Sequence, residues 1–353
     1  MYSLPSCEQL RQATENANHK FTVVSTFAGG GGSSCGYRMA GGKVLAVNEF
    51  IPEAVKTYKA NWPSTAVLPN DVRDITGQDI LNAVNLKEGQ LDIFDGSPPC
   101  SAFSTAGKRD KNWGKVKKYS DTKQEKVEDL FFEYIRLLKD IKPKAFVAEN
   151  VSGLAKGVAK GYLNEILRGL RSCGYTVTCK ILDAQYLGVP QSRPRTIFVG
   201  IRNDLWRQDF EGKTHPKPLA YKVNLKQAFE GLEFTDKDKE ETDLRKYAIY
   251  QRLVKLPRGG QDKERFGLWK ASPYRVSPCV MATSANGCAK PCHWDDRAFT
   301  VSEVKRIMSV PDDYVLSGTY TQQVERLGRM VAPLMMKAVA QTIYELGVIG
   351  GHS

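Results

Sequence analysis

Histidine is scarce in this sequence: four in 353 residues, dispersed, with no His-Glu-x-x-His pair. The run Cys288, Cys292, His293, with Cys279 upstream, is too irregular for a zinc ligand set, so no metal is expected. Long apolar runs are missing too. The most apolar stretch, 335–350, is broken by Lys337, Gln341 and Glu345, which leaves no candidate for a membrane-spanning helix. The first twenty residues hold no apolar core of a secretory leader, and a cytoplasmic location is the expectation. Eight scattered cysteines do not make a disulfide framework, and in a reducing compartment each is a thiol. Acidic charge is in deficit: 51 Lys and Arg face 39 Asp and Glu, a net charge of +12. That balance suits a polyanionic partner such as nucleic acid.

What is present reads as an α/β chain. Hydrophobic residues make up 41% and charged residues 25%, so disordered and low-complexity classes are excluded. Strand-like runs at 21–26, 43–47, 91–95, 145–149 and 196–201 alternate with helical spacing, the pattern of a mostly parallel sheet covered on both faces. Between two of them Val127, Leu130, Phe131, Tyr134, Ile135, Leu138 and Ile141 form one apolar helix face ahead of Pro143. Residues 202–296 are richer in Lys, Pro, Gly and isolated aromatics, and read as a small loop-rich domain. Regular structure returns at 301–308 and in an amphipathic final helix from Val331 to Leu346. No segment repeats.

In such sheets ligands sit at the carboxyl ends of strands, and four groups of residues fall there. Phe27-Ala28-Gly29-Gly30-Gly31-Gly32-Ser33-Ser34 lets backbone N–H groups approach a ligand, yet no frame of it gives the dinucleotide spacing G-x-G-x-x-G. Glu49 follows the next strand, where an acid grips a ribose diol. Pro98 and Pro99 hold Cys100 rigidly just past a strand end, as a nucleophile requires, and Glu149 ends the strand after it. Arg193 and Arg195, two apart in an extended segment, are expected on one face. Residues 107–126 carry eight Lys or Arg with Trp113 and Tyr119 interspersed, either a solvated loop or a basic lid over phosphates.

Taken in order, these pieces resemble the DNA (cytosine-5)-methyltransferase family from about Phe21 to Leu346. The resemblance implies a Rossmann-like S-adenosylmethionine-dependent methyltransferase sheet and a small target-recognition domain. Phe27, Gly29 and Gly31 would form the cofactor loop, Glu49 would take the ribose hydroxyls, Phe50 the adenine face, and Asp71 with Val72 the adenine amino edge. Pro99 and Leu130 would complete the cofactor pocket. Cys100 would be the nucleophile, Glu149 the group that holds cytosine N3, and Arg195, supported by Arg193, the holder of O2. Residues 297–314 would organise the small domain. The implied boundaries are 18–201 for the catalytic and cofactor-binding domain, 202–326 for the target-recognition domain, and 327–349 for a helix returning to the first. Ser101 stands where the family has Gln, and Arg329 where it has Asn.

The resemblance explains the residue types. Cytosine C5 is a poor nucleophile until a thiolate adds at C6, and the base must leave the duplex to be reached. The expected substrates are S-adenosylmethionine, which leaves as S-adenosylhomocysteine, and double-stranded DNA. The setting implied is restriction-modification, with a monomeric enzyme and a separately acting restriction endonuclease. Two alternatives share these features: an RNA cytosine-5 methyltransferase, and a non-catalytic DNA-binding relative. The second should have lost Cys100 or Glu149, and both are present.

Overall fold

A strand buried at every position needs cover on both faces, and the middle of the central sheet has it. In the computed structural model, residues 2–15, 18–99, 117–118, 123–124, 129–155, 160–265, 267–282 and 291–350 are described. The first part runs α1 (Cys7–Thr14), β1 (Phe21–Thr26), α2 (Gly32–Met39), β2 (Gly42–Asn48), α3 (Pro52–Asn61), β3 (Ala66–Leu68), α4 (Gly77–Val84) and β4 (Ile93–Gly96). A two-residue pairing of β5 (Lys117–Lys118) with β6 (Lys123–Gln124) follows, then α5 (Leu130–Ile141), β7 (Ala145–Val151), α6 (Lys160–Ser172), β8 (Tyr175–Asp183) and β9 (Pro194–Arg202).

Seven strands form one sheet in the order β3-β2-β1-β4-β7-β9-β8. The first five are mutually parallel, as the crossover helices require, but β9 runs antiparallel to both neighbours. The link from β8 to β9 holds only a short 3-10 turn and no long crossover helix, so the chain doubles back. Strand periodicity sorts the core. Ile93, Val147, Ile197 and Val199 pack on one face with α2 and the last helix, whereas Phe94, Phe146, Ala148 and Phe198 pack on the other with α4, α5 and α6.

After β9 come three short helices, α7 (Leu225–Phe229), α8 (Asp236–Thr242) and α9 (Tyr250–Leu253), and a minimal pairing of β10 (Trp269–Lys270) with β11 (Pro291–Cys292). Leu244, Ile249, Leu253, Leu268, Cys292 and Ala298 make a small separate core, while Leu225, Ala271, Val280 and Phe299 join the main one. The chain ends with α10 (Val301–Ile307), α11 (Tyr320–Arg329) and α12 (Pro333–Glu345). Thr300 with Glu303, and Thr319 with Gln322, close capping boxes on α10 and α11, and Pro333 opens α12. Met335, Met336, Val339 and Ile343 of α12 return to the sheet against α2.

Candidate active site

The carboxyl ends of β1, β2 and β3 are stitched together by side chains that follow each strand. Glu49, just past β2, accepts from Gly29 N at 2.7 Å and from Ile51 N at 2.8 Å. Burial raises its pKa, and those backbone bonds, with the charge of Arg326, oppose the rise. Asn48 donates to the carbonyls of Leu68 (3.0 Å) and Asn70 (2.8 Å), fixing the chain that leads into Asp71. Asp71 caps the 3-10 turn Val72–Asp74 and pairs with Arg73, whose other amino group reaches Asp129 at 3.0 Å. Val72 and Leu130 are both buried in the core beneath, and Phe50 is half-buried beside Glu49. Gly29, Glu49, Asp71 and the start of α5 thus line one edge of the sheet.

The glycine loop is built for packing as much as for a ligand. A Cβ on Gly29 would meet nothing, so that position is open. Gly31, at φ +86°, would set a Cβ 2.5 Å from the Tyr314 hydroxyl, and Gly32 would set one 2.2 Å from the Val331 carbonyl. Tyr314 donates to the Gly30 carbonyl and accepts from Trp62 Nε1 at 3.3 Å, so the loop is braced from the C-terminal third. Phe27, half-buried, adopts φ +54° as β1 turns into it.

On the other side of β1, Ser97 donates to the Phe27 carbonyl at 3.3 Å and Asn150 donates to the Pro98 carbonyl at 3.2 Å. The turn carrying half-buried Pro99 is therefore tied both to the glycine loop and to the end of β7. Cys100 and Ser101 lie outside the described residues, as do Cys288 and all of 107–126 except the backbone of β5 and β6. Beside that turn, Glu149 Oε1 meets Arg195 Nε at 2.7 Å, the two side chains being 12% and 14% exposed. A nearly enclosed carboxylate and guanidinium present acceptor and donors side by side, the requirement for gripping one polar edge of a planar ring.

Arg193 makes no bond to that pair. It precedes β9, its N–H goes to Asp183 Oδ1 at 2.8 Å, and its guanidinium donates to the carbonyls of Val280 (2.9 Å), Gly328 (2.9 Å) and Met330 (2.8 Å). Burial, and then the charge of Arg195, push its pKa down to about 10. Arg193 is a strut between the small region and the C-terminal segment, both of its amino groups committed to main-chain carbonyls. Gln191 shares the task, accepting from Val280 N at 3.0 Å.

Asn150, Arg326 and Asp95 also belong to the site: Asn150 adjoins Glu149 and Asp95 ends the strand-like run 91–95, whereas Arg326 carries no signal in the sequence. Asp95 lies beneath the glycine loop, bonded to Ser25 and Tyr37.

Comparison with known proteins gives this geometry a context. The C-5 cytosine-specific DNA methylase family matches residues 21–345. The chain belongs to that family. This methylase is 30% identical to the Type II methyltransferase M.Eco47II of Escherichia coli, over 94% of this chain and 81% of that protein. It is also 30% identical to M.Sau96I of Staphylococcus aureus, over 92% and 76%. Among solved structures, a prophage-encoded DNA modification methyltransferase of E. coli superposes with a TM-score of 0.73 at 21% identity, covering 92% of this chain and 99% of that one. The DNMT2 of Spodoptera frugiperda superposes at 0.68 with 20% identity, covering 92% and 99%. These likenesses agree with the methyltransferase sheet. Arg329 is exposed at the end of α11 and paired with Glu325 at 2.7 Å. Among the described residues no helix is long and apolar enough to cross a membrane.

Proposed function

We propose that this methylase moves the methyl group of S-adenosylmethionine to C5 of one cytosine, flipped out of a specific duplex DNA sequence, through a transient bond between Cys100 and C6. The Glu149–Arg195 pair beside the Pro98 turn carries the reading, because it sets a base-gripping pair next to the segment that leads into Cys100. The open face of Gly29 and the buried Glu49 fit a ribose and its attached chain. Phe50, Asp71, Val72, Pro99 and Leu130 complete that pocket in this proposal. When bound, S-adenosylmethionine supplies a methyl group made electrophilic by its sulfonium.

Cys100, as thiolate, forms a bond from Sγ to C6, and the displaced ring electrons make C5 nucleophilic. In its protonated form Glu149 gives its proton to ring N3 as Cys100 adds and takes it back as the thiolate leaves, and Arg195 donates to O2, meeting the charge that develops there. After transfer the C5 proton leaves to water, the double bond re-forms, and the Cys100 thiolate departs. Arg193 keeps the small region and the C-terminal segment in register around this chemistry.

The small domain, 202–326, would choose the DNA sequence, and 327–349 would lock the cofactor side. The Type II methyltransferase relatives support a DNA-modification role; in this proposal a restriction endonuclease acts separately and the enzyme is a cytoplasmic monomer. Base-resolution sequencing of DNA from cells expressing the protein should find 5-methylcytosine in one short duplex motif. The Cys100→Ala variant should lose turnover and keep cofactor binding. Methyl groups mainly on RNA, on adenine or on cytosine N4 would overturn the reading.

A further inference from the structure

One buried titratable group is left unused by the mechanism above. Asp95, 1% exposed, is the third residue of β4, the strand that leads into the Pro98 turn. Its carboxylate accepts from Ser25 Oγ at 2.6 Å and from Tyr37 Oη at 3.0 Å, and the Ser33 hydroxyl, further off, also favours its ionised form. Ser25 belongs to β1, the strand feeding the glycine loop, and Ser33 and Tyr37 to α2, the helix leaving it. The carboxylate therefore lies under the loop, held by two hydroxyls from the elements that frame it.

The charges around it are unbalanced. From β7 it faces Glu149, of the same sign, and from α5 it faces Tyr134, a neutral phenol. Among the described residues no Lys or Arg pairs with it. Burial, eased by the hydroxyls and worsened by Glu149, pushes its pKa up to about 7. A buried carboxylate without a cation is costly, and an apolar side chain would serve packing better. A cationic ligand would supply what the chain withholds.

We propose that Asp95 is a selectivity residue for cofactor charge, a buried anion that favours the sulfonium of S-adenosylmethionine over the neutral thioether of S-adenosylhomocysteine. The proposal rests on the methyl-transfer reading. Substrate and product differ by one methyl group and one positive charge, so contacts to ribose, adenine and amino acid cannot separate them, whereas a fixed negative charge does. Loss of that attraction on transfer assists product exchange at each turnover. Linkage adds a signature: binding the cation draws Asp95 into its ionised form and releases a proton, and binding the thioether does not.

Calorimetric titration of each ligand, from pH 6 to pH 8 in buffers of unlike ionisation enthalpy, tests this. In the wild type, affinity for S-adenosylmethionine relative to S-adenosylhomocysteine should rise about threefold or more with pH, with excess proton release for the sulfonium ligand alone. Asp95→Asn should flatten the ratio and abolish the excess release. Tyr37→Phe removes one donor but keeps the carboxyl, and should move the rise to higher pH, a readout that stands even if Asp95→Asn fails to fold. Equal pH dependence for the two ligands in the wild type, or an unchanged ratio in Asp95→Asn, would overturn the inference and leave the methyl-transfer reading intact. Binding of neither ligand would overturn both.

Discussion

Arg195 meets Glu149 at 2.7 Å, whereas Arg193, two residues earlier, turns inward to the carbonyls of Val280, Gly328 and Met330. Arg195 sits in the ladder opposite Val151, and Arg193 stands outside it with its backbone held by Asp183. One arginine stays beside the carboxylate at the strand ends and the other braces the chain.

The two should therefore fail differently. Arg195→Ala is expected to cut turnover at least about a hundredfold while the melting temperature barely moves. Arg193→Ala strands three carbonyls and should cost about 3 kcal/mol, lowering the melting temperature by several degrees. Thermal melts beside methylation rates for both variants decide it; a melting temperature unaltered in Arg193→Ala would deny the strut.

Gly31→Ala is expected to destabilise the protein by about 2 kcal/mol, because the new Cβ meets the Tyr314 hydroxyl and the backbone is left-handed there. Pairing it with Tyr314→Phe removes the clashing oxygen and should recover part of the loss. Denaturant midpoints of the two single variants and the double variant measure the coupling, and strict additivity would contradict the contact.

Asp95 gives stability an unusual slope. Its pKa stands near 7 in the fold against 3.8 ordinarily, so the folded protein keeps a proton that the unfolded chain releases. Stability from this group is full below about pH 4 and is lost as pH rises through about 7. Asp95→Asn should match the wild type at pH 4 and exceed it by a few kcal/mol at pH 8. Parallel stability curves across that range would refute the shift.

Replacing Lys115, Lys117 and Lys118 by Gln tests the basic segment. DNA affinity should weaken and its logarithmic salt slope flatten by up to about one unit for each phosphate no longer neutralised, with affinity for S-adenosylmethionine unchanged. Binding curves from low to moderate salt that coincide for variant and wild type would assign these lysines to solvent.

Strands β1, β2, β4 and β7 are legible in the sequence because they are apolar at consecutive positions, the mark of cover on both faces. Strand β8 is not, since Thr176, Thr178 and Lys180 interleave on an edge that half faces water. Helices α1 and α11 are short and polar, so little but their local Ser6–Gln9 and Thr319–Gln322 capping boxes marks them in the sequence. Glu49, Asp95 and Glu149 could be singled out because each stands at the end of a strand-like run, and Arg195 because it stands just before one. What Asp95 is bonded to could not be read, because its partners come from 70 and 58 positions away. Spacing pairs Arg193 with Arg195, but the carbonyls more than eighty positions downstream that hold Arg193 could not be read from it.

The bond from Tyr314 to Gly30 joins residues 284 positions apart. During translation at about 5–20 residues per second, the glycine loop leaves the ribosome on the order of half a minute before its brace is made. The nascent chain can assemble much of its early sheet in that interval, but the loop has neither the tyrosine hydroxyl nor the Val331 backbone to rest on. Loop closure thus reports that the ribosome has passed residue 331, and a stalled or prematurely ended product is left without it.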